Sequence, residues 1–263
     1  MNTRTSQQEP MLLLEKVNKQ FGGLQAINNV GFTVQPGCIK AVIGPNGAGK
    51  TTLFNLIAGN IPVSSGTIIF QGQEIRGKKS HEIARMGMSR TFQNIKLFHG
   101  MTALECVMVG RHTRSCAGFL AGMLSLPWTW QEERAIRSRS MELLEMLEIA
   151  DLAGTEVSSL AFGQQRAVEM ARALAAEPDL LLLDEPAAGL NIYETAEVAR
   201  LITAIRDMGI TVLLVEHDMS LVMDVSDEIV VLSFGSKVAE DIPANIQKNA
   251  EVIKIYLGED ETV

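Results

Sequence analysis

No apolar run in the sequence is long enough to cross a bilayer as a helix, which takes about 20 residues. The opening stretch, Met1 to Pro10, is polar and lacks the apolar centre of a secretory signal. Cysteine is scarce. Cys38, Cys106 and Cys116 are odd in number and show no paired spacing of the kind that holds zinc, which fits a reducing compartment. Basic residues are outnumbered, 23 against 31 acidic, for a formal charge of −8. That balance excludes a global grip on nucleic-acid backbone, and no nucleic-acid partner is expected. No internal repeat or low-complexity segment is visible, and with 46% apolar residues the chain is too hydrophobic to be disordered. The expectation from these absences is a soluble, cytoplasmic protein. Its 263 residues lie near the upper limit for one hydrophobic core, so one domain or two closely packed lobes are expected.

What is present centres on Gly44-Pro45-Asn46-Gly47-Ala48-Gly49-Lys50-Thr51, a phosphate-cradling loop pattern. The apolar run Ile39 to Ile43 leads into it as a buried strand, and Thr52 to Ala58 leads out as a helix. A loop wrapped on a helix N-terminus points several backbone N–H groups at one place, and the helix dipole adds positive potential there. Gly44, Gly47 and Gly49 let the backbone come close to phosphate oxygens. Lys50 is placed to reach the β- and γ-phosphates, and the Thr51 hydroxyl to sit on magnesium.

Around this loop, strands are expected at Met11 to Phe21 and Asn29 to Val34, with alternation from Gly66 to Ile75 about Gly72. Ser80 to Met86 reads as a short helix capped by Ser80, followed by a strand to Gln93. Asn94 to Ser159 is helical in pattern and reads as a lobe inserted into an α/β core. Its Gln131 to Ile149 helix offers Ala135, Met141, Leu144, Met146, Leu147 and Ile149 as an inner face. Before that helix, the apolar piece Cys116 to Trp130 holds both tryptophans. Then helices at Gly163 to Ala176, Tyr193 to Met208 and Met219 to Val225 alternate with strands at Leu180 to Asp184, Ile210 to Val215 and Glu228 to Ser233. Apolar strands separated by helices argue for a parallel sheet covered on both faces. Short helices close the chain over Pro243 to Leu257.

Three further features carry chemistry. Leu180 to Leu183 bury a strand from whose C-terminal end Asp184 and Glu185 emerge. In an open parallel sheet that end faces the ligand crevice. Asp184 is expected to hold magnesium, and Glu185 to orient and deprotonate the water that attacks the γ-phosphate. His217, just past a neighbouring strand, is placed to touch the γ-phosphate. Gln93, ahead of the helical lobe, is a hinge candidate whose amide ligates magnesium or the attacking water. An Asn18-Lys19-Gln20-Phe21 run has Phe where a guanine-reading element needs Asp, and it lies upstream of the loop, so a GTPase is not expected.

The set occurs in the order phosphate loop, Gln93, Leu160-Ala161-Phe162-Gly163-Gln164, Asp184-Glu185, His217. In this it resembles an ABC-type ATPase cassette, over nearly the whole chain. The resemblance implies a P-loop NTPase α/β fold with a mainly parallel core sheet, an antiparallel β portion at the N-terminus and an inserted helical lobe. It implies one ATPase domain over about 11–258, with a core at about 11–93 and 177–240, the lobe at about 94–176 and C-terminal helices at about 243–258. It implies ATP and Mg²⁺ as ligands. ATP would lie on Phe21, stacked on adenine, and on Gly44, Pro45, Asn46, Gly47, Ala48, Gly49, Lys50, Thr51 and Thr52. Mg²⁺ would lie on Thr51, Gln93 and Asp184, with Glu185, His217 and Gln93 catalytic. Ala161, Phe162, Gly163 and Gln164 would face the ATP of a second cassette in a head-to-tail pair. Two places depart from the family pattern. Ala161 and Phe162 stand where Ser and Gly are usual, which removes a hydroxyl donor, and Asn191 stands where Asp is frequent.

Within the family, Arg90-Thr91-Phe92-Gln93, Leu97-Phe98, Leu160 to Arg166, Pro186 to Asn191, Glu216-His217-Asp218-Met219 and Ile255-Tyr256-Leu257-Gly258 resemble ATP-binding subunits of branched-chain amino acid importers. That resemblance implies a second, different ATPase subunit, two membrane permease subunits, a periplasmic substrate-binding protein, and a place on the cytoplasmic face of the inner membrane. Phe119, Leu120, Met123, Leu124, Trp128 and Trp130 then either pack within the lobe or dock a membrane subunit. Two other classes stay open: a soluble ABC ATPase acting on DNA or ribosomes, and a phosphate-loop metabolic kinase. The first commonly carries coiled-coil insertions, zinc hooks or two cassettes, and the second does not explain Leu160 to Arg166.

Overall fold

The continuous apolar stretches at residues 39–43, 180–183 and 211–215 become three adjacent strands with every position buried. In the computed structural model, which describes residues 9–91, 96–98, 100–111 and 127–257, these are β3 (Ile39–Ile43), β7 (Leu180–Asp184) and β8 (Thr211–Val215). Together with β6 (Met88–Arg90), β9 (Glu228–Ser233) and β10 (Ser236–Asp241) they form a six-stranded sheet of order β10-β9-β3-β8-β7-β6. All neighbours are parallel except the edge pair β9 and β10. The apolar density of β3, β7 and β8, broken only by Lys40, Asp184 and Thr211, follows from burial on both faces. Val42, Leu182, Leu213 and Val230 point into one apolar cluster, and Ala41, Leu181, Leu214 and Ile229 into the other.

The first cluster is roofed by a second, antiparallel sheet of order β2-β1-β4-β5, made of β1 (Leu12–Phe21), β2 (Leu24–Val34), β4 (Ser65–Phe70) and β5 (Gln73–Glu74). Helix α1 (Lys50–Ile57) is sandwiched there, burying Leu53, Phe54, Leu56 and Ile57. The other cluster includes buried faces of α3 (Ala103–Gly110), α4 (Pro127–Met146), α5 (Phe162–Leu174), α6 (Ile192–Asp207) and α7 (Met219–Val225). Short helices α2 (Ser80–Arg85), α8 (Pro243–Ile246) and α9 (Ala250–Leu257) complete the chain. Among the described residues, no helix is long and apolar enough to cross a membrane.

The expected parallel core, N-terminal antiparallel sheet and helical segments are present. Details differ. The second strand begins at Leu24, not Asn29, because Gly22 adopts φ 56° and turns the chain so that Phe21 pairs with Leu24. The alternating run around Gly72 is two strands, since Gln71 and Gly72 both take left-handed φ (50° and 72°) and reverse the chain. Strand β10 went unread. Its Ser-Lys-Val-Ala-Glu-Asp sequence lacks the apolar density of the core strands because it lies on the sheet edge. The cap of α2 is Lys79 rather than Ser80, with the Glu82 carboxylate accepting from the Lys79 N–H at 2.7 Å. Of the expected inner face of α4 and the turn after it, Leu144, Leu147 and Ile149 are buried, joined by Leu143, while Met141 and Met146 are partly buried.

Two buried cations, Lys40 and Arg166, brace this frame through ion pairs. Lys40, in the central strand, is bound by Glu228 at 2.8 Å and by Glu240 at 2.6 Å, and Glu240 also takes Lys237 at 2.6 Å. In α5, the Arg166 guanidinium meets Glu169 at 2.9 Å with both side chains out of solvent. Removing one member of such a pair strands the other charge in a low-dielectric interior. Glu169→Leu is expected to lower unfolding free energy by about 3–5 kcal/mol, read from denaturant titration. A loss under ~1 kcal/mol would show the pair to be dispensable.

Candidate functional site

Strand β3 ends at Ile43, and the chain then passes very close to its surroundings. Gly44 takes φ 149°, and a Cβ there would stand 2.1 Å from the Leu232 carbonyl oxygen. Gly49 takes φ 100°, and its Cβ would stand 2.7 Å from the Ala26 carbonyl oxygen. Only glycine permits both contacts. The loop is tied down further by Gly235 N–H donating to the Ala48 carbonyl at 3.0 Å and by Asn28 N–H donating to the Gly235 carbonyl at 2.8 Å. Lys50 begins α1, and its ammonium folds back onto the carbonyls of Gly44 at 2.5 Å and Pro45 at 3.0 Å. A cation is thus held at the centre of the loop, beside the helix N-terminus.

A cleft of about 480 Å³ opens over this loop. Asn46 to Thr52 form its floor, and Leu24, Gln25, Ala26, Glu185, Phe234 and Gly235 its walls. The loop residues and Glu185, far apart in sequence, therefore share one cavity. Phe21 is outside that lining; it is half exposed on the hairpin, with the Lys19 ammonium 4.8 Å from its ring centroid. The aromatic residue on the cleft wall is Phe234, which is 93% exposed and takes a left-handed φ of 46°.

The carboxyl ends of β7 and β8 carry the acids. Asp184 is buried. Its Oδ2 accepts from Arg90 Nη2 at 2.7 Å, while its Oδ1 has no protein partner. Arg90 also donates to Asn55 Oδ1 on α1 at 2.7 Å, so one guanidinium joins strand β6, helix α1 and the end of β7. A buried carboxylate oxygen without a partner is expensive unless something occupies it. Among the described residues, no group of three or more His, Cys, Asp or Glu side chains could hold a metal by itself. A lone carboxylate oxygen suits Mg²⁺, which keeps waters and takes substrate phosphates as ligands, rather than zinc.

Glu185 takes a left-handed φ of 49° and donates its N–H to the Val215 carbonyl at 2.9 Å. Backbone of this kind in a bulky residue is strained, and it turns the side chain out of the strand direction, onto the cleft wall. His217 Nδ1 lies 3.9 Å from Glu185 Oε2, and the imidazole is largely exposed. Between β8 and His217 sits Glu216, fully buried, whose carboxylate accepts from Ala187, His217 and Asp218 N–H groups. Burial pushes its pKa above the ordinary carboxylate value against the effect of those donors. Gln93 lies outside the described residues, as do Phe92, Gly258 and residues 112–126 of the apolar insert.

Ala161, Gly163 and Gln164 do not join this cleft. They line another, of about 400 Å³, with Leu147, Glu148 and Glu194. There Gln164 accepts from the Ala161 N–H at 3.0 Å, and Phe162, half exposed, packs toward Gly189, where a Cβ would stand 3.4 Å from its ring. Asn191, in place of the more frequent Asp, caps α6 by accepting from Tyr193 N–H at 2.9 Å and Glu194 N–H at 3.1 Å. The structure thus separates the residues singled out in the sequence into two groups, one around Lys50 and Glu185 and one around Gly163. Arg90, Glu216 and Phe234 were missed as site residues. For Glu216 the signal was available: an acid directly after the four apolar positions Val212 to Val215 rarely lacks a task.

The seating of Gly49 gives a direct test. Gly49→Ala must push the loop off Ala26 and Ile27 or distort its φ, at ~1–3 kcal/mol. Nucleoside triphosphate binding is expected to weaken about tenfold or more, measured by fluorescent-nucleotide titration; unchanged affinity would show that the loop does not bind nucleotide in this form.

Comparison with known proteins agrees with this geometry. Residues 27–188 match the sequence profile of the ABC transporter family. The high-affinity branched-chain amino acid transport ATP-binding protein BraF of Pseudomonas aeruginosa is 44% identical over 251 residues, covering 95% of this chain and 98% of that protein. LivG of Escherichia coli K12, of the same description, is 42% identical over 252 residues, covering 95% and 99%. Among solved structures, MJ1267, an ATP-binding cassette of an ABC transporter, superposes with a TM-score of 0.83 at 28% identity, over 94% of this chain and 98% of that one. Its ADP conformation gives a TM-score of 0.81 at 29% identity, over 95% and 99%. With the phosphate loop, the paired acids on β7 and the layered sheets all in place, the chain belongs to the ABC transporter family as one of its ATP-binding cassettes.

Proposed function

We propose that this ATPase energises a membrane importer for branched-chain or other hydrophobic amino acids. The observation that carries hydrolysis is the shared cleft, in which Glu185 stands over the loop from Asn46 to Thr52. The likeness that carries the substrate class is to BraF and LivG, which extends over nearly the full length of each protein.

The roles follow from placement. ATP phosphates lie along Gly44 to Thr52, and Lys50 exchanges its two loop carbonyls for phosphate oxygens. The Thr51 hydroxyl, Asp184 Oδ1 and Gln93 would hold Mg²⁺, which would supply neutralisation of charge on the β- and γ-phosphates. Arg90 keeps the other Asp184 oxygen occupied and so fixes which one faces the metal. Glu185 accepts the proton of the attacking water, and His217 donates to the γ-phosphate. Phe21 on its hairpin supplies the adenine platform. Ala161 to Gln164, set apart from the chain's own cleft, complete the site of a partner cassette.

The remaining organisation is part of the same proposal. One ATPase domain spans about 11–258, and its helical lobe, about 94–176, turns toward the membrane. A second ATPase subunit, two permease subunits and, indirectly, a periplasmic substrate-binding protein complete the assembly, with this chain peripheral on the cytoplasmic face. Trp130, exposed in the first turn of α4, marks where a permease docks.

Two measurements bear on this. Glu185→Gln in the assembled complex is expected to keep ATP binding and to lower hydrolysis on the order of 10²–10⁴-fold; near-normal turnover would remove Glu185 as the base. Reconstituted with its permease, the complex is expected to take up leucine, isoleucine or valine from an amino-acid panel in an ATP-dependent manner. Uptake confined to polar or charged amino acids would overturn the substrate class.

A further inference from the structure

Glu216 joins two loops, one after β7 and one after β8. Its Oε1 accepts from the Ala187 N–H at 2.8 Å. Its Oε2 accepts from the His217 N–H at 2.9 Å and the Asp218 N–H at 3.3 Å. Ala187 belongs to the loop that starts at Glu185, and this loop folds on itself through Ala188 N–H to the Glu185 carbonyl and Leu190 N–H to the Ala187 carbonyl, both at 3.1 Å. His217 and Asp218 belong to the loop after β8. The carboxylate is wholly out of solvent, and the His217 imidazole nitrogen stands 3.8 Å from its Oε2 and 3.9 Å from Glu185 Oε2.

This arrangement needs an ionised carboxylate. Three backbone donors converge from two directions, and only a group with two acceptor oxygens and no hydrogen answers all of them. An apolar residue would leave those N–H groups buried without partners. Glutamine has the same shape but one acceptor oxygen. Its NH₂ would face either the Ala187 N–H or the His217 and Asp218 pair, donor against donor.

We propose that Glu216 is a positioning residue for hydrolysis: it locks the loop bearing His217 to the loop that follows Glu185, so that the γ-phosphate contact and the water-activating base are set by one rigid unit. The inference rests on the roles proposed above for Glu185 and His217. It accounts for a buried charge that nucleotide binding does not use, placed on neither the phosphate loop nor the cleft wall.

The test compares Glu216→Gln, Glu216→Asp and Glu185→Gln in the assembled complex. Glu216→Gln preserves packing volume, so a space-filling role predicts no change. The locking role predicts a fall in kcat on the order of 10–10²-fold, the scale of a misplaced catalytic group. KM for ATP and Kd for ADP should stay within about twofold. Glu216→Asp keeps both oxygens on a shorter arm and is expected to recover part of the lost kcat. Turnover of Glu216→Gln within about twofold of wild type overturns the inference, as does a loss of kcat matched by equal loss of ADP binding. So does an aspartate variant no better than the glutamine one. Normal turnover of Glu185→Gln would instead overturn the reading of the site itself, whatever Glu216 does.

Discussion

Two backbone carbonyls, those of Leu232 and Ala26, occupy the space that side chains at positions 44 and 49 would need. Everything else in the nucleotide region depends on that contact. Leu232 ends the parallel sheet near the β9–β10 turn, and Ala26 belongs to the antiparallel sheet. The phosphate loop is therefore a wedge between the two sheets as well as the end of β3. Its backbone is set by both sheets at once, and binding finds the loop already formed. A loop attached to one sheet only would have to be ordered by its ligand, at a loss of affinity.

The same economy appears in how the site handles charge. The chain is acidic overall, yet the buried Lys50 stands in the phosphate loop and the largely covered Arg90 joins helix α1 to Asp184. Lys50 is solvated by loop carbonyls and Arg90 by Asp184 and an asparagine, so neither needs a ligand to be tolerable in the interior. These partners are of unequal strength. Carbonyl dipoles yield readily to a polyphosphate, whereas a carboxylate bound to a guanidinium does not. Lys50 is thus the exchangeable cation and Arg90 the permanent one. Asp184 is left with one oxygen fixed by Arg90 and, among the described residues, one without a hydrogen-bond partner.

Most of the core could be read from sequence because its strands are buried on both faces and so carry nearly continuous apolar runs; β3, β7, β8 and β9 were bounded almost to the residue. The elements that were misjudged lie where burial is one-sided or absent. The first half of β2 mixes exposed positions with the buried Ile27, and β10 is a half-wet edge. At the site, Lys50, Asp184, Glu185 and His217 were legible because each sits at a fixed offset from a strand end. Arg90 was not, since its meaning lies in a pairing across the sheet to β7, which no local pattern encodes. The departures at Ala161, Phe162 and Asn191 were visible, but their structural outcomes were not. Asn191 caps a helix as well as aspartate would, and Phe162 gains a neighbour in Gly189.

Strand β10 bears on how such a cassette avoids the wrong partners. An open sheet ends in a row of backbone groups ready to pair with any other strand. Here the outermost strand carries Lys237, Glu240 and Asp241, and Glu240 is drawn inward to the Lys40 ammonium in the sheet's centre. A foreign strand adding to this edge would have to lie along that charged row and strip water from it. Edge-to-edge pairing of copies through this strand is thereby disfavoured.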